Sequence, residues 1–251
     1  MFLNLLFKSY NVSLQKLRNI GVNMEYIVLA LMLTTLIGLI ESIVVSNYAA
    51  VIILKTLTSI LFVLLGFISY KKSKSNKKYC LLVLLGLIFS MFGDIFLVLE
   101  DHIRSLFYFG VIAFSIGHIM YILSFNTCTK FKIKDCRVLA VIFSFVIILL
   151  KVEKFNFGLR YPFVLIYGII ISFMVCRALS LLRSYYLNKK WILITIMGVT
   201  LFFVSDVMLL FVMFSTEKHL FITREISLVL YYLGQALIAI SLKQNIQLIN
   251  N

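Results

Sequence analysis

Eight long runs of apolar residues, separated by short polar connections, determine what this chain can fold into. A helix needs about 20 apolar residues to cross the hydrocarbon core of a bilayer. We therefore expect an all-α polytopic membrane bundle with eight transmembrane helices. The fifth run is the shortest, because Arg137 and Lys151 enclose only thirteen residues, and such a length is often a buried or interfacial segment. The runs lie at 26–45, 48–69, 79–99, 105–126, 138–152, 160–182, 190–213 and 226–242.

The composition excludes most other classes of protein. Of the 251 residues, 62% are hydrophobic and 14% are charged, against about 25% charged in an ordinary soluble domain. A water-soluble globule of this size could not bury so much apolar surface. The formal net charge of +14 could suggest a nucleic-acid partner. The basic residues fall in short clusters between the apolar runs, however, so we expect a bilayer and a lipid as partners and no nucleic acid.

The distribution of Lys and Arg orients the bundle and divides the chain. Seventeen of the 24 basic side chains lie on the N-terminal segment, on alternate connections and on the tail. The positive-inside rule then places both termini in the cytoplasm, with the protein integral to the cell membrane. We expect residues 1–25 to form an interfacial segment, 26–243 the transmembrane domain and 244–251 a cytoplasmic tail. All four cysteines lie near the cytoplasmic face, where thiols stay reduced, so no disulfide is expected.

An internal repeat relates the two halves of the chain. The repeats span about 26–126 and 138–242, and each contains four helices if the fifth run crosses the membrane. An even number of helices makes the repeats parallel, related by an axis along the membrane normal. The matched positions are Lys55 with Tyr167, Gly86 with Gly198 and Asp94 with Asp206, each 112 residues apart, and Gly117-His118 with Gly234-Gln235, 117 residues apart.

Three charged residues lie inside the apolar runs, at Lys55, Asp94 and Asp206. Each costs roughly 2.5–3.5 kcal/mol at the centre of a membrane helix, so they must face one another or a wet cavity. We expect one polar layer, in which one Asp pairs with Lys55 and stays ionised while desolvation keeps the other neutral. An unequal pair of this kind suits general acid and general base catalysis. The sequence leaves open which Asp takes which role.

Other polar residues of the runs are candidates for positioning a substrate: His118, Tyr121, Tyr167, Tyr232 and Gln235. Plainer interpretations remain open for all of them. An Asp–Lys pair can simply hold helices together, a buried histidine can bond a neighbouring helix, and tyrosines often serve packing. A zinc site usually needs three protein ligands, and only His118 of the three histidines lies within a run. We therefore expect no metal and no other cofactor.

Four short motifs place polar residues at fixed positions within the apolar runs. The motifs are Ser90-Met-Phe-Gly-Asp94, Ala113-Phe-Ser-Ile-Gly-His118, Leu201-Phe-Phe-Val-Ser-Asp206 and Tyr231-Tyr-Leu-Gly-Gln235. They resemble those of the YhhN family of lysoplasmalogenase-like membrane proteins. They follow one another in the family's order, and the similarity extends from about residue 50 to 242. Lys55 is followed by Thr where the family usually has Pro, which removes a helix kink.

The resemblance implies an integral membrane hydrolase. Characterised relatives cleave the vinyl-ether bond of lysoplasmalogens, which releases a fatty aldehyde and a glycerophospho-head group. Asp94 and Asp206 would then be the catalytic acid and base, and the other polar candidates would position water and the lipid. A rival hypothesis is a proton-coupled transporter or lipid carrier in which the two Asp residues relay protons. In a third, a membrane scaffold, they would only join helices.

Overall fold

A computed structural model describes residues 24–73, 76–151, 155–184, 187–216 and 221–243. This part of the chain is helical, with short turns and an isolated β-bridge between Phe155 and Ser215, which confirms the all-α prediction. The expected interfacial segment and the tail lie outside the described residues, except for Met24 and Glu25. The helices are α1 (Met24–Val44), α2 (Tyr48–Lys72), α3 (Lys77–Val98), α4 (Leu106–Asn126), α5 (Ile133–Leu150), α6 (Tyr161–Ser180), α7 (Lys189–Phe214) and α8 (Phe221–Ser241).

Six of these helices are long and apolar enough to cross a membrane: α1 to α4, α6 with its flanking turns, and α7. The chain is therefore a multi-pass membrane protein. The other two, α5 and α8, carry charged residues near their first turns, for example Asp135 and Glu225. These charges lower the apolar content of both helices. The arrangement of eight crossing helices stays a prediction.

The fifth helix is longer than the apolar run that predicted it. It begins at Ile133, five residues before the run, and its 18 residues extend about 27 Å. Asp135 near its start pairs with Arg177 of α6. Leu150 at its other end belongs to an apolar cluster with Phe107 at the start of α4. The helix therefore follows the bundle along its length, from one end to the other.

Six helices pack in a closed ring in the order α2, α3, α4, α6, α7, α8, and α8 returns to α2. The pairs α3–α4 and α7–α8 have the most extensive contacts, while α1 packs outside α2 and α5 outside α6. A two-fold relation between the halves would exchange the α2–α8 contact with the α6–α4 contact, and both are present. The order of packing is thus compatible with the predicted repeat, which itself stays a prediction.

Glycines allow the paired helices to approach closely. A Cβ atom at Gly198 of α7 would lie 2.9 Å from the carbonyl oxygen of Gly234 in α8. In the other half, a Cβ at Gly117 of α4 would lie 3.1 Å from the carbonyl oxygen of Gly86 in α3. These neighbours are backbone atoms that cannot rotate away. Small residues at such crossings let helix backbones meet in membrane proteins.

Gly198→Ala is therefore expected to lower the melting temperature of the detergent-purified protein. The added methyl group must separate α7 from α8, and overpacking of this kind costs about 1–3 kcal/mol. Gly38→Ala is the matched control, because its Cβ would meet only a side-chain methyl of Leu54 at 3.4 Å. We expect the control to melt at or above the wild-type temperature. Equal melting of the two variants would show that the crossing is not tight.

A buried ion-pair network joins three segments at one end of the bundle. We call this end, where Lys71 and Lys72 finish α2, Lys77 and Lys78 begin α3, and Lys189 and Lys190 begin α7, the basic end. Arg177 is fully buried, and its guanidinium donates to Asp135 at 3.1 Å and to the Thr129 carbonyl at 2.5 Å. Arg183 lies 2.7 Å from Asp135. Burial alone would raise the pKa of Asp135, but the hydrogen bond and charge of Arg183, with Arg177 nearby, hold this pKa below its usual range.

Glu25 makes a second clamp at the basic end. It is 3% exposed and lies at the start of α1. Its carboxylate pairs with Lys72 at the end of α2, at 3.2 Å, and with Lys243 just after α8. One buried carboxylate thus ties three helices together. It also confirms that α1 starts at the end of the bundle where α2 and α8 finish.

Candidate functional site

The polar side chains of the helices form two hydrogen-bonded clusters, where the sequence predicted one layer. The Asp94 cluster comes from α2, α3, α8 and one residue of α4, and the Asp206 cluster comes from α4, α6 and α7. Both carboxyl groups lie toward the end opposite the basic end. Asp94 is four residues from the end of α3 and Asp206 eight from the end of α7. The Asp94 cluster contains Lys55, Ser59, Asp94, Tyr121, Tyr231, Tyr232 and Gln235, and the Asp206 cluster contains His118, Tyr167 and Asp206.

Asp94 is surrounded by groups that favour its ionised form. It is 3% exposed. One carboxyl oxygen, Oδ2, accepts hydrogen bonds from Ser59 Oγ and from the Tyr231 hydroxyl, both at 2.7 Å. The ammonium group of Lys55 lies 3.8 Å from Oδ1. Two neutral donors and one cation compensate the charge of this largely buried carboxylate.

Three further side chains orient the groups around Asp94. Tyr121 donates to Gln235 Oε1 at 3.1 Å, and Gln235 Nε2 donates to the Tyr231 hydroxyl at 3.3 Å. Tyr121 and Gln235 therefore act on the carboxylate only through Tyr231. Tyr232 donates to the backbone carbonyl of Lys55 at 3.2 Å. All three are fully buried, so these positions are fixed by packing as well as by hydrogen bonds.

Asp206 has fewer donors and is less enclosed. Its side chain is 12% exposed. The Tyr167 hydroxyl lies 2.5 Å from Oδ2 and 2.8 Å from Nε2 of His118, so Tyr167 stands between the imidazole and the carboxyl group. His118 Nε2 is itself 3.8 Å from Oδ2, beyond hydrogen-bond distance. The other ring nitrogen, Nδ1, is buried and has no hydrogen-bond partner among the described residues.

Aromatic rings separate the two clusters. The ring of Phe202 lies 5.0 Å from that of His118 and 5.1 Å from that of Tyr231, measured between centroids. The two carboxyl groups are near enough for their charges to act on one another. They share no direct hydrogen bond. The chain therefore holds two neighbouring carboxyl sites of different character.

The two clusters are built in corresponding ways. Each takes a side chain from the second helix of one half, a carboxyl group from the third helix of that half, and a polar residue from the last helix of the other half. Lys55 and Tyr167 fill the first position, as Asp94 and Asp206 fill the second. Gln235 and His118 fill the third, although Gln235 contacts Asp94 only through Tyr231. Each site thus depends on the ring that brings the last helix of each half against the second helix of the other.

Sequence reasoning missed two donors to Asp94. Ser59 follows Lys55 by one helical turn, so the two side chains share a face of α2, a spacing that could have indicated it. Tyr231 precedes Tyr232, which was the predicted member of that pair. Neighbouring residues of a helix point in different directions, and only the rotation of α8 in the bundle decides that Tyr231 meets the carboxylate.

A cavity of about 460 Å³ opens at the end of the bundle opposite the basic end. Its wall is apolar on α1, α3 and α7, and Lys55 lies at its inner part. Arg160 lies 2.6 Å from Glu100 there. Burial raises the pKa of Glu100 above its usual value, although Arg160 acts in the opposite direction. The charged residues of the cavity are Lys55, Glu100, Asp101, Arg160 and Arg224.

A smaller apolar pocket of about 60 Å³ lies beside Asp206 and Tyr167. Leu97, Leu209 and Met213 line both this pocket and the large cavity. These three flexible apolar side chains therefore form the boundary between the pocket and the cavity. The combination suits an amphiphile with a charged head group and a hydrocarbon chain.

No group of three His, Cys, Asp or Glu side chains within the described ranges could hold a metal ion. His102 lies at the end opposite the basic end, where its ring packs against Tyr48 at 6.0 Å. His219 lies outside the described residues. All four cysteines are free thiols.

Comparison with known proteins agrees with the motifs in the sequence. No solved structure matches the chain. The family model described as the YhhN family matches residues 50–242. This range covers most of the chain and contains every residue of the Asp94 and Asp206 clusters. The chain therefore belongs to the YhhN family of membrane proteins.

Proposed function

We propose that this protein is an integral membrane hydrolase that cleaves the vinyl-ether bond of lysoplasmalogen-type lipids. One observation carries the proposal. Two neighbouring carboxyl groups in the membrane interior have unlike surroundings, since Asp94 is paired with a cation and Asp206 borders an apolar pocket. A pair of carboxyl groups in unlike environments is what acid and base catalysis at one pH requires.

The reaction begins with proton transfer to carbon. The general acid protonates the alkenyl carbon that is not bonded to oxygen, and the electrons of the double bond form the new C–H bond. An oxocarbenium ion remains. Water adds to its carbon and loses a proton to the general base, which gives a hemiacetal. The hemiacetal then splits into a fatty aldehyde and the free hydroxyl of the glycerophospho-head group, so each turnover consumes one water molecule.

In this proposal Asp206 is the acid and Asp94 the base. Asp206 borders the apolar pocket that would take the alkenyl chain, so its carboxyl group would stand beside the carbon that is protonated. Asp94 has two donors and Lys55, which favour the anion. The anion also stabilises the nearby oxocarbenium ion, as the second carboxylate does in glycosidases.

The large cavity would hold the head group. Arg224, Arg160 and Lys55 offer positive charge to a phosphate, and Arg guanidinium groups match phosphate geometry especially well. The alkenyl chain would pass Leu209 and Met213 into the small pocket beside Asp206. The vinyl-ether bond joins chain and glycerol, so it would lie between the two spaces, near both carboxyl groups.

The proposal is tested with purified protein in lipid nanodiscs. We expect fatty aldehyde, trapped as a hydrazone and measured by mass spectrometry, from an alkenyl lysolipid. The saturated alkyl ether and the acyl ester should yield no product, since neither has a double bond to protonate. Fatty acid release from the ester would show an esterase instead. Substrate-driven proton movement across sealed vesicles without aldehyde would support a transporter.

Arg224→Gln is expected to raise the KM for the alkenyl lysolipid about tenfold, with kcat little changed. The variant removes a charge that contacts the head group in the ground state and in the transition state alike, and a charged hydrogen bond contributes roughly 1.5–3 kcal/mol. Arg104→Gln is the matched control, because Arg104 is exposed at the same end of the bundle but does not line the cavity. An unchanged KM in Arg224→Gln would place the head group elsewhere.

A further inference from the structure

We propose that His118 supplies Asp206 with its proton through the hydroxyl group of Tyr167. This inference rests on the proposed function. The Tyr167 oxygen bridges the other two groups along a bent path: 2.8 Å separate His118 Nε2 from the Tyr167 oxygen, and 2.5 Å separate that oxygen from Asp206 Oδ2. The direct distance from Nε2 to Oδ2 is 3.8 Å, too long for a hydrogen bond. A proton that passes between His118 and Asp206 must therefore use Tyr167.

The phenol has one proton, so the three groups can form only two hydrogen-bonding arrangements. When Asp206 is ionised, Tyr167 donates to the carboxylate and must accept from Nε2–H of His118. When Asp206 is protonated, the carboxyl group donates to Tyr167, which donates to the bare Nε2. One concerted step converts the first arrangement into the second: the Nε2 proton moves to the Tyr167 oxygen as the phenol proton moves to Oδ2. The phenol is unchanged, and His118 has lost the proton that Asp206 gains.

The unpartnered nitrogen of His118 is where a new proton enters. The imidazole is fully buried, yet Nδ1 has no hydrogen-bond partner in the described part of the chain. Buried polar atoms are nearly always satisfied, so an exception needs an explanation. A proton delivered by water to Nδ1 allows the Nε2 proton to leave, and the neutral ring remains. Tautomerisation then returns hydrogen to Nε2 for the next turnover.

The surroundings of His118 leave Asp206 as its charged neighbour. The ring packs against Phe202 of α7 and against Tyr167 of α6. The titratable Tyr121 on the same helix donates a hydrogen bond to Gln235. Asp94 on α3 accepts hydrogen bonds from Ser59 and Tyr231. His118 therefore exchanges protons with Asp206 and not with Asp94.

The relay predicts a specific defect in Tyr167→Phe. This variant keeps the ring and both end groups but removes the oxygen between them. We expect kcat to fall about 100-fold with KM within twofold of wild type, because proton transfer by a positioned group contributes 10²–10⁴-fold. The rate in mixtures of light and heavy water should show two protons in motion for wild type and one for the variant. Tyr161→Phe, on the same helix but exposed, should behave as wild type in both assays.

An infrared titration tests the relay without catalysis. In wild type, the carboxylic acid band of Asp206, identified by its loss in Asp206→Asn, should appear in step with a change of the His118 ring bands. In Tyr167→Phe the two changes should occur at separate pH values. Wild-type coupling of the bands in Tyr167→Phe, or wild-type turnover with two protons in motion, overturns the relay and leaves the proposed function standing. Coupled bands in a protein that releases no aldehyde would support the relay and refute the hydrolase.

Discussion

Asp206→Asn is expected to reduce aldehyde release from an alkenyl lysolipid by about a thousandfold or more, with little change in melting temperature. An amide of the same shape fills the same space but cannot donate a proton to carbon, and general acid catalysis contributes about 10²–10⁴-fold. Its neighbour Tyr167 retains an acceptor, so the cluster keeps its hydrogen bond. The measurement is single-turnover aldehyde release together with thermal unfolding.

Asp94→Asn is expected to abolish release as well, but with a loss of stability. It removes the base and leaves the ammonium group of Lys55 without its partner in a partly buried position. Lys55→Met combined with Asp94→Asn should restore the melting temperature and not the activity. Glu41→Gln is the control, since Glu41 is an exposed carboxylate of α1. Wild-type turnover in both Asp94→Asn and Asp206→Asn would refute the carboxylate mechanism.

Arg177→Met is expected to destabilise the protein by about 3–5 kcal/mol, the usual cost of removing one member of a buried ion pair. The variant leaves Asp135 with Arg183 as its cationic partner and the Thr129 carbonyl without the Arg177 donor. The basic end of the bundle then loses the fully buried ion pair between α5 and α6. Thermal unfolding in detergent, with the circular dichroism of the helices as signal, measures the effect.

Two further variants separate the contribution of the buried charges from that of their hydrogen bonds. Arg183→Gln removes the partly exposed partner of Asp135, 35% accessible at its side chain, and should cost at most about 1 kcal/mol. Asp135→Asn added to Arg177→Met should recover much of the lost stability, because the buried charge is gone. A double variant that melts below Arg177→Met would show that the network stabilises the fold through its hydrogen bonds and not through its charges.

The charged residues of the candidate site could be predicted from the sequence with one physical rule. Lys55, Asp94 and Asp206 are conspicuous in the sequence because charge is costly inside an apolar run. The rule identifies which residues need partners and does not say which partners they have. It led to one shared layer, whereas Asp94 and Asp206 occupy separate clusters with the ring of Phe202 between them. Ser59 and Tyr231 carry no charge, so the rule does not identify them, and only the spacing of Ser59 from Lys55, one helical turn, could have indicated a donor.

The sequence by itself determined that this is a helical membrane protein and where most of its helices lie. Length and apolarity are local properties of each run, and the bilayer requires each run to satisfy its own backbone hydrogen bonds as a helix. Only the tertiary structure decided which helix faces which, because side-chain packing and glycine contacts between distant segments set the rotation of each helix. That rotation turns Tyr231 to Asp94 and places Tyr167 between His118 and Asp206.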